Sequence, residues 1–427
     1  MSNNEAKIIS DQDWEWWCGL PDSLKYVLMM NTPYIGDLLK LDDKGKIEVK
    51  NELYDRTGKI SEVVAYYVGS EIFGEGLDTI KWKEGVSTED INQLAYLPSL
   101  KCFEARSCGL TEIPANTVFE EIRIGEGNHI QDISYPNELV KLKKLSIRDN
   151  SLSEQCWENL GKIPNLEKLK LTGTNIKVDS PAEFVKLKEL YIRDNPLSEK
   201  SWEYLGKIPH LEVLELFNTN ISVTRSAGFL SLESLIIKSN ELTEQCWEFL
   251  EKIPHLEHLS LCSNNIIEVP RLSLNLRTLG LVIRRENGVI GLENLASLSN
   301  LKTLMLTTNC TESLPDLSEL TSLKYWRFDK SELTAKSFEG VKLPPNLEEL
   351  DLSHNKALDD IPDAVCKLTK LVSLHLDGTQ ITEKALPKLA SLTYLEELYL
   401  PKETINENDA EVIQLKAKLP HCEIRIR

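Results

Sequence analysis

The sequence predicts an α/β architecture in which short parallel strands stack turn upon turn into a solenoid, each strand returning through a helix or an extended segment. Three observations point there. Leucine is far over-represented, with 68 copies, 60 of them from Leu94 onward. Blocks beginning at Leu145, Leu190 and Leu235 match nearly residue for residue at a spacing of 45: LSIRDNSLSEQCWENLGKIPNLEKLKL, LYIRDNPLSEKSWEYLGKIPHLEVLEL and LIIKSNELTEQCWEFLEKIPHLEHLSL. Each block holds two copies of a smaller unit, LxxLxLxxN/TxL, and self-similarity at about 20 to 50 residues marks a stacked fold.

The unit is legible as Leu142-Leu145-Ile147-Asn150-Leu152 and again as Leu166-Leu169-Leu171-Thr174-Ile176. Side chains alternate along a strand, so its fourth and sixth residues point to one face and the residues between them to the other. One turn cannot cover its own leucines, whereas a stack can. The central leucine recurs at 145, 169, 190, 214, 235, 259, 279 and 304, gives way to Trp326, and returns at 350, 374 and 398. Weaker copies at Ile80, Phe103 and Ile122 precede it and a partial one, Leu419, Cys422 and Ile424, follows. That makes about sixteen turns.

This pattern resembles the leucine-rich repeat superfamily, and the resemblance runs from Leu77 to Arg427. It implies a right-handed solenoid of horseshoe form, with a parallel sheet on the concave side and short helices or extended segments on the convex side. Ribonuclease-inhibitor-like members carry outer helices, and the 24-residue units look like compact versions of that type; the 21-residue units are expected to be covered by extended or single-turn segments. In the longer units Ser153, Ser198 and Thr243 are placed to cap helices whose apolar spacing is helical, as in Trp157, Leu160 and Ile163. The Asn or Thr at the ninth place, including Asn150, Thr174, Asn195, Thr219, Asn240 and Asn355, is expected to bond buried backbone groups of neighbouring turns.

Residues 1–76 do not fit the repeat. Trp14, Trp16 and Trp17 with Leu20, Leu24, Val27 and Leu28 have amphipathic spacing, and the segment is expected to be a partly helical N-terminal cap over the first turn. DWEWWCGLPDSLK is similar to the start of some bacterial intracellular leucine-rich repeat proteins. The array is expected over 77–418 and a capping strand over 419–427, where charged residues alternate with Cys422, Ile424 and Ile426. After Leu276-Leu279-Leu281 the ninth place is Arg284, which predicts a protruding loop.

Composition excludes several functions. The formal charge is −18, so a phosphate backbone is repelled on average, and nucleic acid is not an expected partner. No secretory signal or membrane span is legible, and nine cysteines without a CxxC pair suit reduced thiols in a cytoplasmic protein. Catalytic candidates are few. His255 and His258 lack further ligands, His354 and His375 read as a solvated pair, the GxG segments at Gly74 and Gly125 do not continue into a phosphate loop, and Cys262 alone of the thiols is expected on the inner face. No cofactor and no metal are implied.

The x positions of LxxLxLxx form the candidate site. From 142 to 194 they carry an excess of Lys and Arg, and from 347 to 402 an excess of Asp and Glu. Larger groups gather among them: Tyr191, Phe217 and Ile236, expected to align on successive turns, then Met305, Tyr325, Arg327 and Tyr399, with Arg148, Arg193 and Lys238 as charged companions. Aromatic and Arg side chains anchor interfaces because they bury much area at low entropic cost. The chain is therefore expected to be a monomeric, non-catalytic protein-binding module: a scaffold, adaptor or inhibitor. The alternative is an enzyme or effector whose activity lies in the N-terminal region.

Overall fold

The computed structural model describes residues 100–113, 119–223, 227–238, 240, 242, 245–262, 268–272, 274–283, 290–308 and 313–427, together with the backbone at 39–41, 47–49 and 79–82. The chain divides into two compact units, Met1–Asn195 and Pro196–Arg427. The expected N-terminal cap lies outside the described residues apart from two antiparallel strands, β1 (Leu39–Leu41) and β2 (Ile47–Val49). The ninth-place residues Asn264 and Asn309, the cap candidate Thr243 and the segment around Arg284 also lie outside them.

The first unit continues with six parallel strands in chain order: β3 (Thr79–Trp82), β4 (Cys102–Ala105), β5 (Glu121–Ile124), β6 (Lys144–Arg148), β7 (Lys168–Thr172) and β8 (Glu189–Arg193). The second unit holds ten more: β9 (Val213–Phe217), β10 (Ser234–Lys238), β11 (His258–Cys262), β12 (Thr278–Ile283), β13 (Thr303–Thr308), β14 (Tyr325–Arg327), β15 (Glu349–Asp351), β16 (Ser373–His375), β17 (Glu397–Leu400) and β18 (Glu423–Ile426). Each of these pairs in parallel with the next.

The register keeps the repeat in phase. Leu145 faces Leu169 and Leu169 faces Leu190 in the first unit; in the second, Leu214, Leu235, Leu259, Leu279 and Leu304 follow one another and hand over to Trp326. These side chains are fully buried, and burying a leucine is worth about 2 kcal/mol. Return segments close the core from behind. Helices α1 (Cys156–Gly161), α2 (Ser201–Leu205) and α3 (Cys246–Leu250) fall in the 24-residue units, and among the described residues none falls in the 21-residue units between them, while α4 (Ala410–Lys418) precedes β18. Trp157 and Trp202 meet Phe184 and Phe229 edge to face, with ring centroids 5.0 and 4.9 Å apart.

The expected capping role of Ser153 and Ser198 is corrected. Helix α1 starts from Gln155 and α2 from Lys200, neither with a side-chain cap. The serine carbonyls instead accept from the Cys156 and Ser201 amides, so a turn intervenes before each helix. The buried Ser153 hydroxyl has no partner.

Among the described residues the ninth-place asparagines form a buried ladder on backbone groups of neighbouring turns, whereas the Thr174 and Thr219 hydroxyls donate to the Asn195 and Asn240 side chains and Thr379 bonds a carbonyl of its own turn. Asn195 Oδ1 accepts from the Thr174 amide (2.8 Å), the Thr174 hydroxyl (3.0 Å) and the Ile176 amide (3.3 Å), while its Nδ2 donates to the Leu171 and Arg193 carbonyls. Asn240 repeats all five bonds on Thr219, Ile221, Leu216 and Lys238. In the turn headed by Trp326 the place belongs to Ser331, which accepts from the Thr308 amide and is itself held by Asn355. Just before the ladder residue the backbone enters the left-handed region at Asp149, Gly173, Asp194 and Asn218, residue types that tolerate it.

Asn195→Ala is expected to lower stability by about 3 kcal/mol, since several buried groups lose their only partner. Ser153→Ala should be near neutral because its hydroxyl is already unsatisfied. Urea unfolding of both variants checks this; equal effects would contradict the ladder's role.

Candidate functional site

Since the leucine positions are committed to the core, function falls to the alternate positions and to the residues just beyond each strand. Three zones on the sheet's exposed face differ in chemistry.

The first lies in the first unit, over β4 to β7, where a groove of about 470 Å³ opens. At its β4–β5 end the charges are paired. Glu104, almost buried, meets Arg106 at 2.9 Å and Arg123 at 3.6 Å, and Arg123 also meets Glu121 at 2.6 Å. At its β6–β7 end they are not: Arg148 and Lys170 stand exposed with no carboxylate at ion-pair distance among the described residues. Tyr191 borders this end, its ring beneath the Lys168 and Lys170 amines at 5.1 and 4.9 Å and its hydroxyl donating to Glu189 at 2.7 Å. Burial and that bond raise the phenol's pKa, while the Lys168 hydrogen bond lowers that of Glu189. The expected basic region is present here, and Arg148 belongs to it. Arg193 is exposed on β8, opposite Thr172.

The second zone spans β10 to β13 in the second unit. The exposed-face positions of β11 to β13 are His258, Ser260 and Cys262, then Thr278, Gly280 and Val282, then Thr303, Met305 and Thr307. None is Asp, Glu, Lys or Arg. Ile236 pairs with Ser260, and Gly280 with Met305, so two small residues lie between two larger apolar ones. A Cβ at Gly280 would come within 2.9 Å of Ser260 Oγ and 3.6 Å of Met305 Cε, so the glycine keeps this dip open.

The third zone, β14 to β18, corrects two expectations. Tyr399 is only 5% exposed: it stacks on His375 with centroids 4.2 Å apart and lies under Arg425 and Arg427 at 5.3 and 4.4 Å. A partner cannot bury what its own neighbours already cover. Arg327 is likewise taken, with Asp329 at 3.0 Å and Asp351 at 3.4 Å, both carboxylates buried. The expected acidic region is thus partly paired: Glu348 meets Lys324 and Glu397 meets Arg425, while Glu349 lies 3.8 Å from the His375 ring. His375 and His354 are no solvated pair either, since His375 is half-buried in the stack and His354 lies past the strand end near Asp377. Tyr325 is half-buried beside this network, and burial raises its phenol pKa.

The expected alignment of Tyr191, Phe217 and Ile236 is also corrected. Ile236 pairs with Glu215, whereas Phe217 sits two places further along β9 and pairs with Lys238. Tyr191, within the first unit, pairs with Lys170 of the same unit. Sequence reasoning passed over Ser146, Thr172, Gly280 and Arg425; the signal for all four was the column each occupies once the strands are set side by side. Among the described residues no group of three His, Cys, Asp or Glu stands close enough to hold a metal, and no helix is long and apolar enough to cross a membrane. The buried Cys156 thiol is raised far above its usual range by burial, and Cys422 to about 11.

Residues 346–368 match the family model described as Leucine Rich Repeat. Among solved structures, an internalin of Listeria monocytogenes shares 19% identity over 94% of this chain and 92% of its own, with a TM-score of 0.48. The functional domain of InlJ from the same organism shares 18% over 81% and 71%, TM-score 0.49. A leucine-rich repeat protein of Leptospira interrogans shares 19% over 86% and 92%, TM-score 0.44. No curated protein matches the sequence significantly.

Burial raises the Glu349 carboxyl, with Asp351 and Glu397 adding to the shift and His375 opposing it. A raised acid binds its proton at higher pH when folded than when unfolded, so its contribution favours the folded state below the ordinary Glu value and is lost as pH rises through the raised one. Glu349→Gln should remove that slope, stabilising the protein at neutral pH relative to about pH 4. Thermal unfolding across that window measures it; an unchanged slope would contradict the burial of this charge.

Proposed function

Because the chain is a leucine-rich repeat protein, we propose that it is a non-catalytic binding module whose exposed sheet face takes a protein partner, in the role of scaffold, adaptor or inhibitor. The observation that carries this reading is the uncharged band on β11 to β13. In a chain where 27% of residues are charged, nine consecutive exposed-face positions hold none, and Ile236 and Met305 flank a dip floored by Ser260 and Gly280.

Depletion of charge at the centre, with Met and aromatic residues present and charged residues at the rim, is the composition of interface cores. Here the rim is Lys238 on β10 and the Arg327–Asp329 pair at β14. Apolar side chains held by a continuous hydrogen-bonded sheet lose little freedom on binding, which favours affinity from few residues. Ile236, Met305 and Tyr325 are the anchors in this reading, with Phe217 and Lys238 beside them; Tyr191, Arg148 and Arg193 serve the first unit's face.

Ile236→Asp should abolish recovery of the partner in affinity capture from the native cell extract while leaving the unfolding transition unchanged. Lys367→Ala, on a return segment away from the sheet, should retain it. Undiminished recovery of the same protein by Ile236→Asp would sink the assignment of this face.

A further inference from the structure

The β6–β7 end of the first unit's groove has a donor arrangement that a general protein-binding face does not require. The register pairs Ser146 with Lys170 and Arg148 with Thr172. All four side chains stand on the exposed face, so they form a square about 5 Å across the strands and about 7 Å along them. The two cations occupy one diagonal and the two hydroxyls the other. We propose that this square binds a phosphate monoester carried on a side chain of the protein partner. The inference rests on the sheet-face reading above and specifies the partner's chemistry in the first unit.

Saturation of the surroundings sets the square apart. Lys143 is bonded to Glu120, Lys168 to Glu189, and Arg123 to Glu121. Arg148 and Lys170, by contrast, have no carboxylate at ion-pair distance, and the half-buried Ser146 and Thr172 hydroxyls make no hydrogen bond among the described residues. Lys170 is steadied over the Tyr191 ring, and Lys144 flanks the square at 4.0 Å from Glu121. Arg148 and Lys170 therefore set two cations without an ion pair side by side in a chain whose total is −18, with Glu189, itself bonded to Lys168, the carboxylate that acts on Lys170 from further off.

A phosphate monoester fits both the charge and the donors. It carries about −1.5 to −2 at neutral pH and presents three terminal oxygens. Arg supplies a fork, Lys a point charge, and the hydroxyls two further donors, all to charged acceptors, which makes the bonds strong. A carboxylate brings one charge and two oxygens, leaving one cation unneutralised and a donor unmet. A nucleic-acid backbone would bring many phosphates against a strongly negative protein.

The test is titration of the full-length chain, followed by calorimetry or NMR, with a phosphoserine peptide of otherwise neutral sequence. The same peptide carrying Ser or Glu, and inorganic phosphate, are the comparison probes. The phosphoserine peptide should bind, the Glu peptide about tenfold more weakly and the Ser peptide not at all. Arg148→Gln with Lys170→Gln should weaken binding by about tenfold or more, whereas Lys143→Gln should leave it intact. No binding, equal affinity for the Glu peptide, binding of inorganic phosphate alone, or full affinity in the double variant would each overturn the proposal. Its failure is separable from that of the sheet-face reading. If phosphatase treatment of the extract leaves capture unchanged while Ile236→Asp abolishes it, the phosphate site falls and the face stands. If the phosphopeptide binds through Arg148 and Lys170 while Ile236→Asp captures normally, the reverse holds.

Discussion

A carboxamide buried where water cannot reach must find all its partners within the protein, and that constraint governs this fold. Asn195 and Asn240 meet it alike, each accepting three bonds and donating two. Those bonds fix the point at which the chain leaves the strand and turns towards the interior. Where that point is fixed along the described ladder, the alternation of inward and outward residues cannot slip, since a shift by one would place a strand's leucines in solvent and its lysines in the core. The left-handed residues just before the ladder, Asp149, Gly173, Asp194 and Asn218, belong to the same device.

Fixed alternation separates the residues that build the sheet from those that act on its surface. Nothing about Leu259 or Leu279 depends on what Ser260 or Gly280 are, so the exposed columns can carry an uncharged band, an ion-pair network or a cationic square on one scaffold. The contrast within the second unit shows how far this goes. Strands β11 to β13 present no charge, while β14 to β18 present a web in which Arg327, His375, Tyr399 and Arg425 each touch at least two neighbours.

The repeat was fully legible because its signal is redundant: a leucine missing from one turn is present in the next, and even Trp326 is recognisable by its place between Leu304 and Leu350. The candidate site was legible only in part. Met305 and Ile236 were visible as outward apolar residues, and Arg148 as an outward cation. What stayed hidden was pairing. Tyr399 reads as an exposed anchor until His375 from one side and Arg425 from the other are set beside it, and those contacts depend on register between turns 24 to 26 residues apart. Phe217 was misplaced for the same reason, by two positions along a strand. Capping failed at Ser153 because a backbone turn satisfied the groups that a side-chain cap would have met.

Paired and unpaired polar groups also differ in what they can do next. The charges around Arg327 have already been desolvated against one another: Asp329 and Asp351 are 5% and 9% exposed. A ligand reaching Arg327 would have to compete with its charged hydrogen bond to Asp329, worth about 1.5 to 3 kcal/mol, and with the Asp351 carboxylate at 3.4 Å. Arg148 and Lys170 have no such bonds to break, and Ser146 and Thr172 offer donors already on a rigid strand. Ordering two long side chains and displacing their water is the remaining cost, and it is offset only by an acceptor dense enough in charge to engage all four corners. A surface of this kind is silent towards neutral ligands and responds when a partner gains a doubly charged group, which is the physical difference between a site that holds its shape and one that reads a modification.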